Sequence, residues 1–354
     1  MDWIRGESVG RGSFAKVNLA IPRNSSTSLF HSPAAVKSCE VSTSSSLKNE
    51  KKILDCLGCC PRIIRCLGDD YNFENGSEYY NLFLEYAAGG SLSDQLKLHG
   101  GRFPEAQVRG FARSIIEGLI HIHENGFVHC DIKLQNILVF RDGEIKIADF
   151  GLAKETGEKQ RKTGFECRGT PLFMSPESVN DGEYESPADI WALGCAVVEM
   201  VTGKPAWDVK NDSNMWSLFV RIAVGDELPE IPDELSEEGK DFLAKCFVKD
   251  PTKRWTAEML LKHPFVADGT VALECVQEQK SSPRSQFDFP DWVSSSGTTA
   301  SVPNSPKFEK ADGERDYDSS FSSSFFTPGD RLRRIATNQE PVNWSESDGW
   351  TCVR

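Results

Sequence analysis

Long apolar runs are missing from this chain. No stretch reaches the roughly 18 uncharged apolar residues that a bilayer-crossing helix needs, so no membrane span is expected. The first residues hold no basic segment leading into an apolar one, so no secretory signal is expected either. Basic charge is also short. Against 53 Asp and Glu there are 40 Lys and Arg, a formal net charge of −13. A protein that grips nucleic-acid phosphates needs a basic footprint, so bulk nucleic-acid binding is disfavoured, although a local basic groove is not. A disulfide framework is absent as well. Eleven cysteines are an odd number in a chain of 354 residues and suit free thiols in a reducing compartment, so a cytoplasmic or nuclear location, or both, is expected. No internal repeat marks a solenoid. What remains is a chain of 39% apolar residues, enough for a real core.

That core does not extend to the end of the chain. After about Lys280 the composition turns to Ser, Pro, Gly, Asp and Glu, with thirteen serines between 281 and 330. Such a segment buries too little apolar surface to offset its ordering entropy, and residues 281–345 are expected to be mostly disordered. Isolated aromatics within and just beyond it (Phe325, Phe326, Trp344, Trp350) make the tail a candidate docking segment, either for upstream regulators or for the folded part of the chain. Ser282-Pro283, Ser305-Pro306 and Thr327-Pro328 suit feedback by a proline-directed kinase.

The first 266 residues divide again. Short apolar-polar alternations predict strands at Val17–Ile21, Ala34–Cys39, Ile63–Leu67 and Tyr80–Tyr86, interrupted by one helix at Ser46–Leu57. From Leu92 onward the period is mostly helical, clearest over Phe111–His123 and in the strongly apolar Asp189–Val201. Shorter helices are expected at Phe242–Phe247 and Thr256–Leu261. A strand-rich lobe followed by a helical one is an α+β arrangement with a cleft near residues 86–92.

Chemistry-bearing residues line up along that cleft. Gly10-Arg11-Gly12-Ser13-Phe14 follows a strand-like start and would let backbone amides approach a phosphate without an intervening side chain. Taken alone it is equally a tight turn. Lys37 sits inside the apolar strand Ala35-Val36-Lys37 and needs a charged partner, which Glu50 on the following helix can supply. Further on come His129-Cys130-Asp131-Ile132-Lys133-Leu134-Gln135-Asn136, a hairpin, and Asp149-Phe150-Gly151. Asp149 and Asn136 offer oxygen ligands for magnesium, Asp131 can orient a hydroxyl, and Lys133 can neutralise charge on a migrating phosphoryl group.

The ordered set from Gly10 to Gly151 resembles the eukaryotic protein kinase family, and the resemblance covers Trp3–Phe265. Within that family the wording Trp3-Ile4-Arg5-Gly6, Val128-His129-Cys130-Asp131-Ile132-Lys133 and Gly169-Thr170-Pro171-Leu172-Phe173-Met174-Ser175-Pro176-Glu177 is similar to plant MAP kinase kinase kinases of the MEKK-like class. The resemblance implies a bilobal kinase domain over 3–266, with an N-lobe at 3–86 and a C-lobe at 87–266. It implies transfer of the γ-phosphoryl group of ATP, with Mg²⁺, to Ser or Thr of a downstream MAP kinase kinase. Val9, Gly10, Gly12, Phe14 and Val17 would cover the nucleotide, Lys37 would pair its phosphates, Glu50 would hold Lys37, and Glu85 to Ala87 would form the hinge behind Leu84. Asp131, Lys133, Lys37 and Asn136 would be catalytic, and Asn136 and Asp149 would hold the metal. Thr170 would favour Ser or Thr as acceptor, Glu177 would pair with Arg254, and Asp189 would steady the catalytic loop.

Two departures stand out. Ala15 replaces the third glycine of the phosphate loop, and Cys130 replaces the arginine that in the family pairs with a phosphorylated activation loop. The second change predicts weak coupling between phosphorylation, at Thr156 or Thr163, and activity. It also keeps open a receptor-like cytoplasmic kinase as an alternative; an idle scaffold is disfavoured because Lys37, Asp131 and Asp149 are all present. The insert 24–33 is polar and expected to be mobile. Cys56, Cys59, Cys60 and Cys66 have metal-like spacing but are read as packing residues or free thiols. His121 and His123 are read as capping or surface groups, and His129 as packing beneath the catalytic loop.

Overall fold

The computed structural model describes residues 3–267, apart from 12–14, 24–29, 31, 75, 159–164 and 209–214, together with the strand at 350–353. Five strands open the chain: β1 (Trp3–Arg11), β2 (Lys16–Pro22), β3 (Ala34–Glu40), β4 (Cys66–Glu74) and β5 (Ser77–Glu85). They form one antiparallel sheet in the order β1-β2-β3-β5-β4. Between β3 and β4 runs helix α1 (Ser45–Leu57), which buries Leu47, Glu50, Ile53 and Leu54 along one face. The four apolar and acidic positions fall at helical spacing, so the face that packs also carries the one buried carboxylate.

The outer face of this sheet has its own small core. Trp3 and Phe83 meet edge-on at 5.1 Å, and Phe30 lies 5.2 Å from Phe83 with 4% of its surface exposed. The insert 24–33 is expected to be polar and mobile. Phe30 corrects that for its last part, because a buried aromatic anchors the chain just before β3; the residues before it lie outside the described residues. The strand expected at Ile63–Leu67 also starts later, at Cys66. Ile63 and Ile64 are buried instead against the C-lobe hairpin, with Ile64 N donating to Ile147 O at 2.9 Å. Their apolarity reports packing between the lobes rather than membership of the sheet.

The second lobe is helical: α2 (Leu92–Leu98), α3 (Glu105–Glu124), α4 (Pro176–Asp181), α5 (Ser186–Thr202), α6 (Met215–Ala223), α7 (Glu237–Cys246), α8 (Ala257–Leu261) and α9 (Pro264–Ala267). Helix α5 is apolar nearly all round, as a helix at the centre of a lobe must be, and Trp191, Leu193, Ala196 and Met200 are sealed from solvent. Short strands sit at the cleft: β6 (Phe127–Val128) pairs with β9 (Lys154–Glu155), and β7 (Ile137–Val139) with β8 (Ile145–Ile147). A parallel pair joins β10 (Phe165–Arg168) to β11 (Trp350–Val353). This is the bilobal kinase fold: a β-rich N-lobe with one main helix, and a larger helical C-lobe. The disorder expected for 281–345 lies outside the described residues. No helix among the described residues is long and apolar enough to cross a membrane.

One buried acid in α5 carries a stability consequence. Glu199 Oε2 is sealed from solvent and has no hydrogen-bond partner among the described residues. Burial pushes its pKa from 4.5 up to about 7, against the pull of Lys97 and Lys133. A carboxyl whose folded pKa is raised stabilises fully below its unfolded value and loses that stability as pH rises through the folded one. Glu199→Gln is therefore expected to raise Tm by several degrees at pH 8 and to leave it unchanged at pH 4.5, read by thermal scans at both values. Equal Tm shifts at both pH values would disprove the assignment.

Candidate active site

The sheet sets up the upper wall of the cleft by register alone. Gly10 pairs with Val17, Val17 with Lys37, and Lys37 with Leu82. Directly opposed residues on adjacent strands face the same side, so Gly10, Val17 and Lys37 form one row. A register shift between Ser8 and Gly10 bends β1 there, as bulges next to functional sites do. Val9 is half-buried beside it. Gly12, Phe14 and Ser13 lie outside the described residues. Ala15, which stands in place of the third glycine, is described and half-buried.

Lys37 is 3% exposed. Its Nζ donates to both Glu50 oxygens at 2.7 Å and to Asp149 Oδ1 at 2.9 Å. Glu50 is fully buried, so its charge is committed to the lysine. Helix α1 is also tied to the turn after Asp149: Asn49 Nδ2 donates to Ala153 O at 2.9 Å and Ser46 Oγ to Gly151 O at 3.3 Å. These two polar contacts escape motif reading because nothing in Ser46 or Asn49 marks a partner a hundred residues away. Asp149 takes a left-handed φ of 71°, a strained conformation for a non-glycine residue. Phe150 behind it is buried and meets His129 edge-on at 4.8 Å.

A second polar cluster gathers around Asp131. Asp131 Oδ1 accepts from Thr170 Oγ1 at 2.7 Å, and Asp131 Oδ2 pairs with Lys133 Nζ at 2.8 Å. Lys133 Nζ also donates to Thr170 Oγ1 at 2.8 Å. Asn136 Nδ2 donates to Asp131 O at 2.8 Å and Oδ2 at 3.0 Å. Burial alone would raise the Asp131 pKa, but the Lys133 ammonium and the Thr170 hydroxyl outweigh it and hold the carboxyl below its usual range. Gly169 makes this contact feasible. Its φ is 101°, and a Cβ there would lie 2.4 Å from Cys130 O.

The loop backbone is itself strained and tethered. Cys130 has a φ of 66°. The Asp189 carboxylate accepts from the amides of His129 and Cys130, each at 2.9 Å, which holds that conformation. His123 Nε2 lies 2.9 Å from the same carboxylate, and His121 Nε2 lies 2.8 Å from Leu57 O. The two histidines are therefore not helix caps or loose surface groups: each bridges elements more than sixty residues apart in sequence. His129 accepts from Asp131 N on Nδ1 at 3.2 Å and donates from Nε2 to Ala148 O at 3.1 Å. The Cys130 thiol is pushed well above its ordinary pKa, first by burial and then by Asp189, so it carries no charge near neutral pH.

The hinge needed one residue that motif reading missed. The Glu85 carboxylate is turned to Lys146 Nζ at 2.8 and 2.9 Å and to Arg65 N at 2.7 Å. Leu84 before it is 4% exposed and Ala87 after it 8%. Of the spaced cysteines, Cys56 and Cys59 are exposed and Cys60 and Cys66 are half-buried; all four are free thiols. The hydroxyl of Thr156 donates to Gly126 O at 3.1 Å, whereas Thr163 lies outside the described residues.

Residues 3–266 match the family model described as the protein kinase domain. The chain belongs to the protein kinase family. It is 49% identical to mitogen-activated protein kinase kinase kinase 20 of Arabidopsis thaliana over the full length of both chains. Mitogen-activated protein kinase kinase kinase 17 of that plant is 44% identical over 75% of this chain and 70% of its own. For kinase kinase kinase 18 the figures are 42%, 76% and 78%. The kinase domain is thus closely related to those of plant MAP kinase kinase kinases, and serine/threonine kinase activity is supported at that level.

The site fits the group a kinase needs. With its NH2 committed to Asp131, Asn136 offers its amide oxygen and Asp149 its carboxylate, and oxygen ligands suit a hard cation such as Mg²⁺. The Asp149 side chain is 36% exposed to the cleft while its other side is held by Lys37. Lys37 and the Gly10 row face the same space and suit an anionic nucleotide.

Proposed function

We propose that this kinase transfers the γ-phosphoryl group of ATP to Ser or Thr of a downstream MAP kinase kinase in a stress or hormone cascade, in the cytoplasm, the nucleus or both. The single observation that supports it is the joint assembly of Lys37–Glu50–Asp149 above and Asp131–Lys133–Thr170 below one cleft. The relatives named above, all MAP kinase kinase kinases, support the substrate class. ATP with Mg²⁺ supplies the activated phosphoryl group and neutralises its developing charge. Asn136 and Asp149 would hold the metal, and Lys37 would position the α and β phosphates. Val9, Gly10, Gly12, Phe14 and Val17 would cover them, and the backbone of Glu85 to Ala87 would bind adenine. Asp131, ionised because Lys133 stands beside it, orients the acceptor hydroxyl and accepts its proton at Oδ. Lys133 then faces the phosphoryl oxygens. The catalytic unit we assign to 3–266, and we assign upstream regulators to the tail.

Purified full-length protein with ATP and Mg²⁺ should phosphorylate at least one member of a panel of kinase-dead MAP kinase kinases on Ser or Thr, read by phosphopeptide mass spectrometry. Autophosphorylation without transfer to any panel member would instead favour the receptor-like cytoplasmic class, to which the uncharged Cys130 also conforms.

A further inference from the structure

The activation segment is held at both described ends by two adjacent residues. Lys154, on β9 just after the Asp149 turn, is a buried cation with 4% of its side chain exposed. Its Nζ donates to Glu185 Oε1 at 3.1 Å and to Glu158 O at 3.3 Å. The same Glu185 carboxylate accepts from the amide of Gly157 at 3.1 and 3.3 Å. Next to it, the Tyr184 hydroxyl accepts from the amide of Arg168 at 2.8 Å, at the far end of the segment. Tyr184 is 4% exposed. One dipeptide immediately before α5 thus binds the segment on either side of residues 159–164.

The charge pattern says what this clamp replaces. A buried ammonium needs an anion, and Lys154 sits in the electrostatic surroundings of Cys130 with Arg168 and Asp189. Cys130 is neutral and adds no cation that would recruit a phosphate to this cluster. Glu185, whose side chain is 43% exposed, already supplies an anion from outside the segment. We infer that the Tyr184–Glu185 dipeptide is a phosphate-independent clamp that holds the activation segment in its working conformation, with Glu185 a positioning residue that acts through Lys154 and the Gly157 amide. This rests on the kinase reading above. A neighbouring pair offers an internal control: Lys52 and Glu155 meet at 2.9 Å but are 64% and 59% exposed, where an ion pair contributes little.

The test uses the full chain, treated with a broad-specificity phosphatase that is then removed. Activity toward a generic serine-containing protein substrate should stay within twofold of the untreated enzyme. Glu185→Gln should lower kcat about tenfold with KM for ATP unchanged, Glu185→Asp should recover part of the loss, and Glu155→Gln should match the parent. Amide hydrogen exchange over 153–158 should quicken about tenfold in Glu185→Gln alone. Tyr184→Phe, which deletes one oxygen, should quicken exchange at Arg168 and covers the case in which Glu185→Gln fails to fold. A tenfold loss of parental activity on phosphatase treatment overturns the inference. So does exchange in Glu185→Gln, or in Tyr184→Phe if that variant alone folds, that equals the parent's. If the parent transfers no phosphate at all, the kinase reading falls, and the exchange measurements still decide whether the clamp exists.

Discussion

Asp131→Asn is expected to lower kcat by about 10³-fold, within the range that a positioned general base contributes, while leaving KM for ATP within about twofold. The substitution keeps the shape of the side chain and one acceptor oxygen, which can still accept from Thr170, while the new amide NH2 faces the Asn136 and Lys133 donors. What it removes is the negative charge opposite Lys133 Nζ, 2.8 Å away, and the site that receives the acceptor proton. Nucleotide affinity should survive because the residues assigned to ATP stand on the other wall of the cleft. Steady-state kinetics with varied ATP at saturating protein substrate separates the two parameters. A fall in kcat below tenfold would remove Asp131 from the role of base. The pH profile gives a second check. With its pKa held below the ordinary carboxylate value, Asp131 stays ionised through neutral pH and loses its function only as pH falls through that lowered value. An acid limb near pH 7 would therefore have to come from another group.

The legible part of this site consists of residues whose chemistry is confined to short segments. Lys37 was conspicuous because a lysine in an apolar strand needs a counter-charge, and the helix that follows offered Glu50. Asp131, Asn136 and Asp149 stood out because acids and an amide bracket one hairpin. The illegible part consists of polar residues whose partners are brought together only by packing. Glu185 reaches Lys154 across 31 positions, Lys146 reaches Glu85 across 61, and His123 reaches Asp189 across 66. In sequence each looks like an ordinary surface charge. Strand β4 was misplaced for a related reason. With Asp69, Tyr71 and Phe73 exposed, it is an edge strand with much of its surface in water, and the apolar pair Ile63–Ile64 upstream imitated a strand while serving the junction between lobes. Helices α3 and α5 were easier, since their apolar period persists over several turns.

Glu177→Ala is expected to lower stability by about 3–5 kcal/mol, the usual cost of stripping one partner from a buried ion pair. Glu177 and Arg254 meet in two parallel bonds, Nη1 to Oε1 at 2.6 Å and Nη2 to Oε2 at 3.0 Å. Their side chains are 8% and 0% exposed. The guanidinium has further ties, to Val248 O at 2.8 Å and Pro187 O at 2.7 Å, and it lies 5.1 Å from the Trp191 ring. These contacts hold Arg254 in place when Glu177 is gone, so its charge is left buried without a counter-ion. For a domain of this size each kcal/mol shifts Tm by about 2–4 °C, which puts the expected drop near 10 °C. The double variant Glu177→Ala/Arg254→Met should be less destabilised than either single change suggests by addition, because it removes the orphaned charge together with its partner. Since Glu177 closes the segment that begins at Asp149, the single variant should also lose phosphoryl transfer at temperatures where it remains folded. Calorimetry on the three variants decides the matter. A Tm drop below 3 °C for Glu177→Ala, or strict additivity in the double variant, would show that the pair does not anchor the lobe.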